Sequence, residues 1–297
     1  MISKLKIQGF IHGSRLEGFP MVLTYVLVGM SIGYKESGGA MFWNALYVIP
    51  IFLFLCSITN ILNALCDFES NVDDKETSSD RTMFDYGVIT KSDIWNFVYF
   101  CSASTGVVSY LAFSHMNSDQ QSFGYLNVVI NTFLSFYYNL QPFRLKTKLF
   151  CGEFTVFFFF ISIVNCSYFL MTGIPSWNIW MANSNAIILV VCGLIVNFYV
   201  DVEDDKRDGS MSSVIFFGET ISKYLIIAMP IVAYILTIQY ALQQSNIFLL
   251  LPLLTIPKLI EVIQLTLKKQ KLAKPKFFLA IFIFNILFSI GILSTTH

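Results

Sequence analysis

Apolar residues in this chain gather into long runs, at residues 19–34, 41–65, 94–113, 124–140, 153–171, 179–200, 224–242, 247–267 and 277–294. A hydrocarbon core about 30 Å thick takes roughly 20 mostly apolar residues of helix to cross, because a helix satisfies its own backbone groups where water cannot. The pattern predicts an all-α, polytopic membrane protein of about nine transmembrane helices, forming a single domain over 1–297. No compact apolar core with a small-residue cleavage site precedes the first run, so that run is expected to remain as a spanning helix.

The polar segments between the runs are unequal. With an inside N-terminus, nine spans place Lys4, Lys6, Arg15, Lys75, Arg81, Lys91, Arg144, Lys146, Lys148, Lys206, Arg207, Lys223 and the cluster Lys268, Lys269, Lys271, Lys274 and Lys276 on one side, with Lys35 alone on the other. Excess Lys and Arg mark the cytoplasmic face. The expected setting is therefore a bacterial inner membrane, with the N-terminus and two long polar loops, about 66–93 and 201–223, in the cytoplasm.

Composition agrees: 55% of residues are hydrophobic and only 13% charged, where a soluble domain carries about a quarter charged. A net charge of +0 and a pI near 6.8 give no sign of a nucleic-acid surface, so the expected partners are lipid and lipophilic molecules. The six cysteines fall singly in or beside apolar runs and form neither CxxC pairs nor zinc-type groups.

Chemistry concentrates at two helix ends. Asn60, Asn63, Asp67 and Asn71 follow one another at three- or four-residue spacing, and Asn197, Asp201 and Asp205 recur every four residues. Each set therefore lies along one face of its helix. Oxygen-rich stripes suit Mg²⁺, a hard cation that takes one or two carboxylates and completes its shell with water and phosphate oxygens. Two stripes facing across a cavity would hold a diphosphate and neutralise the charge on a departing one. The plain alternative for either stripe alone is the acidic border of a solvated loop. Lys258 and Glu261, one turn apart within an apolar run, are candidates for function as charges inside the membrane, with a mutual ion pair facing the bundle as the preferred reading.

Several segments resemble the UbiA superfamily of intramembrane prenyltransferases. Arg15, Pro20, Gly29 and Gly33 are similar to its first-helix pattern, and Asn63-xxx-Asp67-xxx-Asn71 is similar to NxxxDxxxD, with Asn71 in place of the last acid and Asp73 or Asp74 as substitute. Arg81 followed by Gly87-Val88-Ile89-Thr90 resembles RPxxSGxIT, with Thr82 in place of the Pro. The segment from Tyr138 to Glu153 resembles the YxxxPxRLK turn. Asp201-Val-Glu-Asp-Asp205, with Gly209 and Gly218 beyond it, resembles the second acidic motif, Asp204 replacing a Gly.

The resemblance implies a bundle around a central cavity and a Mg²⁺-dependent transfer of a prenyl group from an allylic polyprenyl diphosphate to a small aromatic or other lipophilic acceptor. It implies Asn63, Asp67, Asn71, Asp74, Asp201 and Asp205 as metal ligands, with Asp67, Asp201 and Asp205 catalytic, and Asn63, Arg81, Arg144, Lys146 and Lys206 on the diphosphate. Aromatic walls can stabilise a carbocation, but most of the 30 Phe, 14 Tyr and 4 Trp are expected to face lipid or pack helices, and none is singled out. A membrane terpene cyclase of the same superfamily is the alternative. A secondary transporter, which would place ionisable residues near the midplane of broken helices, fits less well.

Overall fold

The computed structural model describes residues 2–15, 18–70, 84, 87, 89–207 and 209–294. Among them every regular element is helical. In chain order these are α1 (Ile2–Gly13), α2 (Phe19–Ser37), α3 (Phe42–Ala45), α4 (Val48–Glu69), α5 (Lys91–Phe113), α6 (Ser118–Tyr137), α7 (Cys151–Thr172), α8 (Ser184–Val200), α9 (Val202–Arg207), α10 (Ser213–Gln243), α11 (Ile256–Leu267) and α12 (Ala273–Leu293). Short 3₁₀ segments occupy Leu145–Thr147, Ile179–Asn183 and Ile247–Thr255.

Helix covers each of the nine predicted runs, and six stretches among the described residues are long and apolar enough to cross a membrane by length and composition. These are Phe42–Glu69, Cys151–Thr172, Ile179–Val200, Ser213–Gln243, Ile247–Leu267 and Ala273–Leu293. Large apolar side chains point outward along them: Ile231 is 54% exposed, Ile235 57% and Leu242 74%. Such a surface is stable only in lipid, and the chain is an integral membrane protein.

Local chemistry explains where helix and run disagree. The run at 247–267 winds as 3₁₀ through Ile247–Thr255, where Pro252 and then Pro257 withhold backbone donors. α10 begins at Ser213, well before its apolar run, and bends at Gly218, whose φ of 76° only glycine adopts without strain. The polar stretch 201–223, expected as a loop, is therefore mostly helix.

Packing fixes the bundle. α2 lies along α7 and α12, α8 along α10, and α4 along α5 and α6. At the α2–α7 crossing a Cβ on Gly29 would stand 2.5 Å from the Val164 carbonyl, and one on Gly33 2.8 Å from the Met171 side chain, so these glycines permit the close approach. The interior is not wholly apolar. Asn127, Asn131 and Ser135 recur every four residues on one buried face of α6, and the buried Asn139, just past its end, reaches across to the Thr59 carbonyl of α4 at 2.8 Å. α1 is pinned to α5 by the Lys6–Asp93 ion pair at 2.7 Å and by Phe10 stacked on Phe97. The Lys258–Glu261 pairing does not form. Glu261 is exposed and bonds Lys276 from α12, because Lys276 approaches it across the helix–helix turn.

Candidate active site

The site grows from the turn between α6 and α7. After Tyr138 the chain passes a cis Gln141–Pro142 bond and turns at Arg144, which takes a left-handed φ of 39°. Lys146 N–H then returns to the Tyr138 carbonyl at 2.9 Å. This folding back aims the Lys146 side chain at the end of α4. Its ammonium donates to Asn63 Oδ1 at 2.9 Å and to Asp67 Oδ1, while Asn63 Nδ2 donates to Asp67 Oδ2 at 2.6 Å. Lys146 is 12% exposed and Asp67 15%, so the three side chains form a nearly buried, closed triad.

The same turn grips the second acidic segment. Thr147 O accepts the Met211 amide at 3.0 Å, and the buried Glu153 carboxylate accepts the Ser213 amide at 3.2 Å. Glu153 thus caps the N-terminus of α10, where the helix dipole favours a negative charge. Ser210 N–H bonds the Asp205 carbonyl at 3.0 Å and Asp205 N–H the Asp201 carbonyl at 2.9 Å, so α9 and its following loop hold the acidic stripe against the turn. Burial pushes the Tyr138 hydroxyl above its ordinary pKa, and the negative charges of Glu153, Asp205 and Asp67 push it further the same way. Both acidic helix ends therefore converge on one turn at one end of the bundle.

Asp201 is held from a third direction. Its carboxylate bonds the ammonium of Lys274, in the first turn of α12, and the two side chains are 29% and 26% exposed. Asn197, one turn earlier on α8, has a buried Oδ1 with no hydrogen-bond partner. Around the site Lys269 bonds Glu219 at 2.5 Å and lies 5.6 Å from the centre of the Tyr199 ring.

The expected residues divide clearly. Asn63, Asp67 and Lys146 are joined directly, Asp205 is tied to the same turn, and Asp201 adjoins it through α9. Arg144 belongs to the turn itself. Lys206 instead bonds Glu203 of its own helix at 2.9 Å, and Arg207 bonds Asp204. Asn60 spends its amide on the Ser14 carbonyl at 2.9 Å and so fastens α4 to the chain before α2. Asn71, Asp74 and Arg81 lie outside the described residues, as do Asp73 and Thr82. Sequence reasoning missed Lys274, 73 residues from Asp201 and one of many basic residues near helix ends. It also left Tyr138 and Glu153 without a role, although both stand in the turn motif.

Among the described residues no three carboxylate, histidine or cysteine side chains converge to hold a metal. The donor set nonetheless suits Mg²⁺: two carboxylate-bearing helix ends that already attract ammonium groups, and the unpartnered Asn197 oxygen one turn from Asp201. Mg²⁺ commonly takes one or two carboxylates and leaves the rest of its shell to water and phosphate oxygens.

A cavity of about 470 Å³ lies further along α4, between α1, α4 and α5, lined by apolar residues including Phe10, Leu53, Phe54, Phe97 and Phe100. A smaller one of about 120 Å³ lies at Ser184, Asn185 and Gln239, in another part of the bundle.

Fold and site together define a helical integral membrane protein with two acidic helix ends gathered about one basic turn. The chain belongs to the UbiA prenyltransferase family, whose model matches residues 22–286. It is 26% identical over 277 residues to the UbiA prenyltransferase domain-containing protein 1 of Dictyostelium discoideum, covering 90% of this chain and 81% of that protein. Its fold is similar to a UbiA homolog from Archaeoglobus fulgidus solved with DMAPP and Mg²⁺, with a TM-score of 0.65 at 15% identity over 97% of this chain and 99% of the other. It is also similar to a digeranylgeranylglyceryl phosphate synthase, with a TM-score of 0.62 at 18% identity over 98% and 99%.

Proposed function

We propose that this protein transfers a prenyl group from an allylic polyprenyl diphosphate to a small aromatic or other lipophilic acceptor within the membrane, with Mg²⁺ as cofactor. The observation that carries this reading is the convergence of Asn63–Asp67 and Asp201–Asp205 on the Tyr138–Glu153 turn. Family membership and the DMAPP and Mg²⁺ bound to the Archaeoglobus fulgidus homolog support it.

Asn63, Asp67, Asp201 and Asp205 would hold Mg²⁺, with Asn71 and Asp74 as further ligands. When bound, the metal supplies positive charge that neutralises the diphosphate as the C–O bond breaks. Lys146 donates hydrogen bonds to the diphosphate, assisted by Arg81, Arg144 and Lys206. The prenyl tail lies in the 470 Å³ apolar cavity beside α4, whose last lining residue, Ser57, is six residues or about 9 Å along the helix from Asn63. The acceptor captures the allyl cation left when the C–O bond breaks. An aromatic acceptor then loses the ring proton. The abundance of Lys and Arg at this end supports a cytoplasmic site.

The test is Mg²⁺-dependent pyrophosphate release by purified protein in lipid nanodiscs offered allylic diphosphates with phenolic or glyceryl phosphate acceptors. Prenylated acceptor is the expected product, and Asp201→Asn and Asp205→Asn each abolish its formation while membrane insertion stays normal. Hydrocarbon or alcohol formed without any acceptor would give the reaction to a cyclase. Wild-type activity in both variants would defeat the assignment.

A further inference from the structure

The two acidic helix ends are matched in a way their sequences do not announce. Each is gripped by one lysine from a different element: Asp67 by Lys146 from the α6–α7 turn, and Asp201 by Lys274 from the first turn of α12. We propose that Lys274 is a diphosphate-positioning residue of this site, an ammonium that guards the Asp201 carboxylate in the empty protein and turns to the diphosphate when the metal complex arrives. The proposal rests on the diphosphate-binding reading above.

Three observations support the assignment. Lys274 and Asp201 are about three-quarters buried, so their pairing is less screened than a surface ion pair. An ammonium carries three donors, whereas the one carboxylate contact uses a single direction, leaving donors for further oxygens. Finally, two neighbouring basic residues of the same segment are committed elsewhere: Lys269 bonds Glu219 and Lys276 bonds Glu261. The first pair ties the turn between α11 and α12 to α10 and the second ties α12 to α11, and Lys274 alone of the three is paired to an acid of the candidate site.

The charges make two demands of opposite sign. A cation entering at Asp201 competes with the ammonium for the same carboxylate, so Lys274 weakens binding of a bare metal. A diphosphate brings acceptor oxygens and negative charge, so Lys274 strengthens binding of the metal–diphosphate complex. A residue that merely held α12 in place would shift both affinities in the same direction or neither.

Two binding measurements without turnover separate these roles. The first is Mn²⁺ alone, followed by electron paramagnetic resonance of the free ion; the second is pyrophosphate in the presence of Mn²⁺, followed by calorimetry. Lys274→Gln is expected to bind Mn²⁺ several-fold more tightly and pyrophosphate about tenfold more weakly, the latter corresponding to one lost charge-assisted hydrogen bond. Lys274→Arg should restore most of the pyrophosphate affinity. Lys276→Gln, which breaks a strap outside the site, should match wild type in both.

Unchanged Mn²⁺ and pyrophosphate affinities in a folded Lys274→Gln protein overturn the proposal, as do parallel losses reproduced by Lys276→Gln. Should Lys274→Gln fail to fold, Lys274→Arg and Lys274→Met carry the comparison, with wild-type pyrophosphate affinity in Lys274→Met overturning it. Failure of the wild-type protein itself to bind Mn²⁺–pyrophosphate would instead remove the diphosphate reading on which the proposal stands.

Discussion

Replacing Lys146 with Met tests stability and chemistry at one atom. The Lys146 ammonium is the shared donor of a closed triad, bonded to Asn63 Oδ1 at 2.9 Å and to Asp67 Oδ1, with both charged side chains 15% exposed or less. Removing one partner of a buried ion pair costs about 3–5 kcal/mol, since the other charge stays desolvated. Here the Asn63 amide still donates to Asp67 and a little solvent reaches it, so the expected loss falls at or just below the bottom of that range, about 2–3 kcal/mol. Thermal unfolding in nanodiscs should show a drop of several degrees. The double variant Lys146→Met/Asp67→Asn, which removes the stranded charge, should recover most of that loss. Pyrophosphate release should stay abolished in both proteins, because restoring charge balance does not restore the groups that hold the ligand. A single variant as stable as wild type would refute the energetic argument. Activity recovered along with stability in the double variant would show that the triad is only structural.

Three other perturbations probe the frame. Gly29→Ala drives a Cβ to 2.5 Å from the Val164 carbonyl and should cost about 1–3 kcal/mol in thermal stability, whereas Gly106→Ala, with no atom within 4 Å of its Cβ, should be neutral or stabilising; equal effects would deny that Gly29 sets the α2–α7 distance. Asn131→Leu removes a buried oxygen that has no partner and should raise stability by about 1 kcal/mol, checked by the same melting curves. Hydrogen bonds from Lys6, then from Thr90, hold the Asp93 carboxyl down at about 2. A folded-state pKa below the ordinary value near 4 stabilises the protein above that pH and ceases to do so as pH falls toward 2. The stability gap between wild type and Asp93→Ala, about 1 kcal/mol at neutral pH, should therefore close across that acid range; a gap independent of pH would mean that the Asp93 carboxylate, held by Lys6 and by the capping Thr90, does not stabilise the start of α5.

Most of the frame was legible because a bilayer imposes a simple rule on sequence. Long apolar runs must be helices, and helix is found over each of them. What the runs could not convey was local winding: Pro252 and Pro257 turn the entry to α11 into a 3₁₀ segment, and α10 starts well before its apolar part because Glu153, from another helix, supplies its cap. The site was legible where its geometry is local. Four-residue spacing put Asn63 beside Asp67, and the turn motif delivered Lys146 to them. It was not legible where a partner comes from far along the chain, as Lys274 does for Asp201. Lys206 illustrates a competing local interaction, since Glu203 three residues away is nearer than any ligand of the site. Glu261 was misassigned for a related reason: one-turn spacing to Lys258 suggested a pair, yet the neighbouring helix offers Lys276.

The central claim is that one diphosphate is shared by both acidic helix ends. Calorimetric titration of pyrophosphate with Mg²⁺ into wild-type protein, Asp67→Asn, Asp201→Asn and the double variant tests it most directly. Shared binding predicts that either single change removes nearly all measurable affinity and that the second adds little, the non-additivity expected of groups acting on one ligand. Either single variant binding like wild type, or two independent losses that simply sum, would contradict it.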